Sequence, residues 1–273
     1  MDFTSKVAVA VDRTPKGALL TALTTLNMPL HLEYEVERII IKPSIYNPAY
    51  PGNTNIELVE GLVSMFRNTG RVYIVESDNP VRTAEEAFED CGYHQLQEIG
   101  AKLVNLSKEP CHSIEMPGHF FKEREMPEIL SGNILQVNVA TLKQESDKRI
   151  MGASIKNLFG FLPELDKSVY HENIHDVLVD LLITYPPTLT ILDLTELVTG
   201  PRSQKITKRT KGVVVSQDSV AIDAFGAHLI GIDPMTVPHI ELAYNLGLGE
   251  ALLDRIQVLG TEHQKKLIEM IQY

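Results

Sequence analysis

Short apolar runs alternate with amphipathic ones along most of this chain, and that rhythm restricts the fold more than any single residue does. Val7–Val11, Arg38–Ile41, Val72–Val75 and Lys102–Leu106 read as buried strands, and Gly17–Leu26, Ile56–Phe66 and Ala84–Leu96 carry helical spacing between them. Strand and helix in turn predict an α/β fold, with a mainly parallel, mixed central sheet covered by helices on both faces. Ile134–Leu142, Leu189–Leu194 and Gly212–Val215 extend the set of strands. One helix is predicted from Tyr170 to Ile183, stopping before Pro186-Pro187, and another from Ser219 to Leu229. Pro110–Gly132 breaks the rhythm and is read as a small excursion that adds an antiparallel edge, because Pro117-Gly118 and Met126-Pro127 interrupt it. Thr261–Met270 is expected to form an amphipathic closing helix, so that residues 1–273 make one α/β domain.

Charge narrows the function. A formal net charge of −11, from 36 acidic against 25 basic side chains, argues against nonspecific binding to nucleic acid, which requires a basic surface. No apolar run approaches the ~20 residues that span a bilayer, and Met1–Val11 lacks the basic start and apolar core of a signal peptide. A cytoplasmic protein with neither membrane nor nucleic acid as partner is expected. Cys91 and Cys111 stand twenty positions apart without C-x-x-C spacing. This chain alone therefore cannot supply the four thiolates of a usual iron–sulfur cluster, and both cysteines are read as plain buried thiols.

Two lysine segments carry the candidate chemistry. R-I-I-I-K-P at Arg38–Pro43 puts Lys42 where a buried strand should end, and a loop rich in Pro, Gly and Asn follows. In open parallel sheets ligands sit beyond the carboxyl ends of strands, so Lys42 is placed at a site edge, the alternative being a surface lysine. The second segment, I-K-N-L-F-G at Ile155–Gly160, sets Lys156 and Asn157 in an apolar run, with Lys143, Lys148 and Arg149 shortly before. An ammonium buried there is costly unless it meets an anion, either an internal carboxylate or a ligand. Asn157 adds two donors and an acceptor. Lys42, Lys143 and Lys156 are expected to converge on a phosphate or carboxylate.

Three further residues are candidates for catalysis. H-E-N-I-H at His171–His175 fits H-E-x-x-H, a spacing that on a helix lets both imidazoles hold one zinc. Glu196 falls at a tempting distance as third ligand but on a strand-like run, so no metal site is expected. His171 is instead read as lining the site, able to move a proton, with His175 packed. Asp193 ends the apolar run T-L-T-I-L, and Asp223 sits among small and apolar residues one turn into a helix. Each buried carboxylate calls for a partner, and a lysine is the obvious one. Phosphate-loop and nucleophile-elbow motifs are absent.

Taken in order, these motifs resemble the family known only as domain of unknown function 362. The similarity runs from about Ile39 to Gly260 through I-I-I-K-P, A-T-L-K at Ala140–Lys143, I-K-N-L-F-G, the His171 helix with Val179-Asp180, I-L-D at Ile191–Asp193, T-G-P at Thr199–Pro201 and V-A-I-D-A at Val220–Ala224. Lys42, Lys143, Lys156, Asn157, His171, Asp193 and Asp223 all match the family pattern. The resemblance implies association with ferredoxin-like iron–sulfur modules and supplies no reaction. The chain lacks the cysteine-rich module, so a cluster would belong to a partner. Glu145 stands where the family usually has histidine, and Gly152 where it usually has threonine. The leading expectation is an enzyme or enzyme accessory that binds a small anionic metabolite or cofactor at the carboxyl edge of the sheet; the first alternative is a non-catalytic scaffold for a ferredoxin-type protein, and the last a zinc hydrolase built on His171 and His175.

Overall fold

Three consecutive isoleucines cannot all face one side of a strand, so Ile39 to Ile41 require apolar cover on both faces. The structure, a computed structural model, describes residues 4–27, 36–144, 151–199 and 206–272. In it Ile40 enters one core, and Ile39 and Ile41 enter the other across the sheet. The same alternation runs through neighbouring strands, with Val7, Val9, Leu192 and Val214 on the first side and Ala8, Ala10, Ile191 and Val213 on the second.

In chain order, β1 (Ser5–Val11) is followed by α1 (Pro15–Leu26), β2 (Arg38–Pro43), α2 (Ile56–Phe66), β3 (Arg71–Glu76), α3 (Ala84–Asp90) and β4 (Ala101–Asn105). A hairpin of β5 (Cys111–Glu115) and β6 (Glu123–Pro127) comes next. After it come β7 (Ile134–Gln144), β8 (Met151–Gly152), the one-turn helix α4 (Ser154–Asn157) and α5 (Ile174–Thr184). The remainder is β9 (Leu189–Thr199), β10 (Ile206–Lys208), β11 (Gly212–Ser216), α6 (Ser219–Leu229), α7 (Pro238–Asn245), β12 (Ile256–Leu259) and α8 (Thr261–Gln272). Side-chain caps set several helix starts: the Thr14 and Asn55 side chains accept backbone N–H groups at the starts of α1 and α2, and Thr83 and Glu86 form a reciprocal capping box on α3.

The main sheet has the order β12-β1-β11-β9-β7-β2-β3-β4, with β8 on β7 and β10 on β9. Along that order every pairing is parallel except the two made by β11. The expected mainly parallel α/β sheet is thus present, with α1, α2 and α3 covering one face and α4 to α8 the other. From β2 the chain steps outward to β3 and β4, then returns as β7 on the opposite side of β2. Such a reversal opens a crevice at the carboxyl ends of the two strands where it occurs, here β2 and β7.

Three local expectations are corrected. The excursion adds no edge to the main sheet, because β5 and β6 pair only with each other. One side of this hairpin packs inward through Ile114 and Met126, and buried Asp180 of α5 anchors the turn by accepting the N–H groups of His119, Phe120 and Phe121 at 3.1, 2.8 and 2.7 Å. The helix expected from Tyr170 begins at Ile174, after a 3-10 segment over Ser168–Asn173. Neither cysteine is buried as expected: Cys111 is exposed on the hairpin and Cys91 is half-buried. Among the described residues no helix is long and apolar enough to cross a membrane.

Candidate functional site

A cleft of about 390 Å³ lies beyond the carboxyl ends of β2, β3, β7 and β9, at the crevice between β2 and β7. Lys42, Lys143, Lys156, Asn157 and His171 all line it. Five of the seven residues singled out in the sequence are thereby brought together from four separate segments. Arg82 and Lys167 join them on the wall, so among the described residues five cationic side chains stand against three carboxylates, Glu76, Asp78 and Asp166.

Of the lysines expected at the site, Lys42 is the buried one. It is 1% exposed, whereas Lys156, for which the apolar flanks suggested burial, is only half-buried on α4. The reason lies in strand geometry: the side chain of Lys42, at the end of β2, lies beside that of Glu76 at the end of β3. Lys42 Nζ donates to Glu76 Oε2 at 2.7 Å and to the Pro43 carbonyl at 2.6 Å. Arg82 approaches the same Glu76 oxygen at 3.7 Å, and its guanidinium donates to the backbone carbonyls of Ile45, Tyr46 and Ser77. Burial pulls the Lys42 amine below its ordinary value; Glu76 opposes that shift, while Arg82 adds to it. Gly160 supplies the roof of this pair. A Cβ there would fall 2.6 Å from Lys42 Cε and 2.8 Å from its Nζ, which explains the final glycine of I-K-N-L-F-G.

The rest of the cleft is held by bonds to both side chains and backbone. Lys143 Nζ donates to Ser44 Oγ at 3.2 Å, above the loop that follows β2. Asn157 Nδ2 donates to Asn138 Oδ1 at 2.7 Å and to the Lys42 carbonyl at 3.1 Å, so it ties α4 to β7 and β2 while bordering the cleft. His171 is exposed in the 3-10 segment, with its ring 6.1 Å from that of Phe159. Gly152 pairs with Lys143 across β8 and β7. Glu145, Lys148 and Arg149 lie outside the described residues, as do Gly200 and Pro201 of T-G-P.

Asp193 and Asp223 take other places. Neither carboxylate borders the cleft, and each expected lysine partner is replaced by backbone N–H groups. Asp193 accepts from Asn55 N–H at 2.7 Å and from Thr195 N–H and hydroxyl, fastening the loop after β2. Asp223 accepts from Ser154 N–H at 2.7 Å and Ile155 N–H at 2.9 Å, orienting the turn that carries Lys156 and Asn157. Burial raises both carboxyls, that of Asp223 to about 7, against the opposing pull of those amide donors. Amide donors satisfy a buried carboxylate as an ammonium does, and side-chain sequence cannot distinguish the two.

H-E-x-x-H does not form one helical face. His171 precedes α5 and His175 belongs to it; His175 Nδ1 instead meets Nδ1 of buried His239 at 3.1 Å, with the rings stacked. Burial, the neighbouring His175 and then Lys156 lower His239 to about 3. Glu196, the tempting third ligand, accepts the Gly52 N–H.

Sequence reasoning missed Glu76, Arg82 and Lys167. Glu76 ends the run V-Y-I-V-E just as Asp193 ends T-I-L-D, so the strand-end rule already applied to Asp193 reaches it. Arg82 and Lys167 sit in irregular segments and leave no periodic signal.

Among solved structures, the crystal structure of a Thermotoga maritima protein from a structural genomics consortium is similar to this chain at 8% identity and a TM-score of 0.41. The similarity covers 84% of this chain, which spans about 59% of that protein's length. No curated protein matches. A family described as domain of unknown function 362 matches residues 39–228, a shorter stretch than the 39–260 suggested by the motifs but one containing all of them. That match takes in well over half of the 273 residues, and the chain therefore belongs to the domain of unknown function 362 family.

Proposed function

We propose that this protein is an enzyme or enzyme accessory that binds a small phosphate- or carboxylate-bearing molecule in the cleft between β2 and β7. One observation carries the reading: among the described residues five cationic side chains against three carboxylates line a cleft of about 390 Å³, in a chain whose net charge is −11. A concave site with cations on low-dielectric walls focuses a positive potential and draws an anion inward. Lys143 and Lys156, both only half-buried, are the direct contacts, and Asn157 borders them. Lys42 acts from behind, since Glu76 and Pro43 take two of its three N–H groups. His171 is the proton carrier at the rim. Asp193 and Asp223 position the two walls. One continuous sheet with helices on both faces supports a single α/β domain, and the exposed free thiol of Cys111 suits a reducing compartment such as the cytoplasm.

Calorimetric titration with inorganic phosphate and with oxalate tests this. Saturable binding that weakens with salt, and weakens at least tenfold in Lys156→Met while the melting temperature holds, is the expected result. Absence of saturable heat with both anions, or a Lys156→Met variant that loses stability without changing affinity, overturns it.

A further inference from the structure

In that reading Lys167 makes no direct contact and adds only its charge to the wall, yet its setting is unusual. It is 9% exposed, borders the cleft, and donates to two backbone carbonyls, Asp78 at 2.7 Å and Glu164 at 2.6 Å. A neutral amine has two N–H bonds and one lone pair. With both N–H bonds directed at fixed carbonyls, the lone pair takes the remaining tetrahedral direction, on a residue that lines the cleft.

Resting on the anion site proposed above, we infer that Lys167 is a nucleophile that forms an imine with the carbonyl carbon of an aldehyde or ketone bearing a phosphate or carboxylate. The cationic wall would hold the anionic group and the amine would meet the carbonyl. In the first step the nitrogen lone pair forms the C–N bond, the C=O π pair moves onto oxygen, and a proton passes from nitrogen to that oxygen. The oxygen then leaves as water with the second nitrogen proton, giving C=N. No oxidant, reductant or further reactant is consumed.

Surroundings favour the neutral amine. Burial lowers Lys167 to about 8; the Glu76 carboxylate opposes this, Lys42 and Arg82 add to it, and Asp78 opposes it weakly. A useful share of the side chain is then unprotonated at neutral pH, as a lysine nucleophile requires.

The test uses pyridoxal 5'-phosphate, an aldehyde carrying a phosphate, on the full chain, with borohydride reduction and peptide mass mapping. The expected result is an adduct concentrated on Lys167, half-maximal near pH 8, suppressed by inorganic phosphate, and lost in Lys167→Arg with phosphate affinity retained. An adduct spread over surface lysines, or one still rising steeply with pH above 9, overturns the inference. Saturable phosphate binding without a Lys167 adduct overturns it while leaving the anion site standing. Failure to bind phosphate or any other anion removes both. Mapping on the wild-type chain decides the matter even if the arginine variant does not fold.

Discussion

Replacing Glu76 with glutamine removes one charge at nearly constant shape from the place where Lys42 and Arg82 meet. Glu76 is 3% exposed, its Oε2 accepts Lys42 at 2.7 Å with Arg82 at 3.7 Å, and its Oε1 accepts the Ser77 N–H at 2.9 Å. The amide oxygen can keep one of these bonds, so the loss is chiefly that of the counter-charge to a fully buried ammonium. Breaking a buried pair from one side costs about 3–5 kcal/mol. That is about a fifth or more of the ~5–15 kcal/mol that holds a typical domain folded. It should appear as a lower urea midpoint with an unchanged m value. The loss should also shrink as pH rises. Without its anion Lys42 has a folded pKa depressed further below its unfolded value, so the unfolded chain binds more protons and stability climbs with pH through that interval. Anion affinity should rise at the same time, because an internal competitor has gone. A loss below about 1 kcal/mol at pH 7, or a loss that persists unchanged at alkaline pH, refutes the argument that Glu76 compensates Lys42.

Gly160→Ala drives a Cβ to within 2.6 Å of Lys42 Cε and should cost about 1–3 kcal/mol by overpacking; thermal melts check it, and an unchanged melting temperature would mean that Lys42 swings aside freely. Asp223, raised from 3.8 to about 7, contributes stability that is present below pH 4 and lost as pH rises through about 7. Denaturant titrations from pH 4 to 8 should show this decline in the wild type and a shallower one in Asp223→Asn, where Asp193 still titrates, although the variant is weaker overall for having turned an amide donor toward one of the two N–H groups. His239, lowered to about 3 beside His175 and Lys156, has the opposite slope, its contribution being lost as pH falls from 6.5 toward 3, so His239→Phe should soften acid unfolding in the same titrations. Asp180→Ala strands the N–H groups of residues 119–121 and should make the hairpin turn the first site of limited proteolysis, with a stability loss of about 1–3 kcal/mol.

Much of the architecture is local in origin and therefore readable. Ile39–Ile41, Val213–Val215 and the bounded helical runs 56–66 and 219–229 declare their elements, because strand and helix periods are properties of neighbours in the chain. Lys42 at a strand end follows from the same reasoning, and so does its place at the carboxyl edge of the sheet. What the sequence could not decide was which ammonium is buried and what each carboxylate meets. Lys156 has the apolar flanks, yet Lys42 is enclosed, because enclosure comes from Glu76 on β3 and Gly160 after α4, contacts made across 34 and 118 positions. Asp193 and Asp223 were legible as buried acids, but apart from Thr195 their amide partners come from the distant residues 55, 154 and 155. A backbone N–H has no letter in the sequence, and desolvation depends on everything within a few ångströms regardless of chain position, so the charge state of this cleft belongs to the tertiary structure alone.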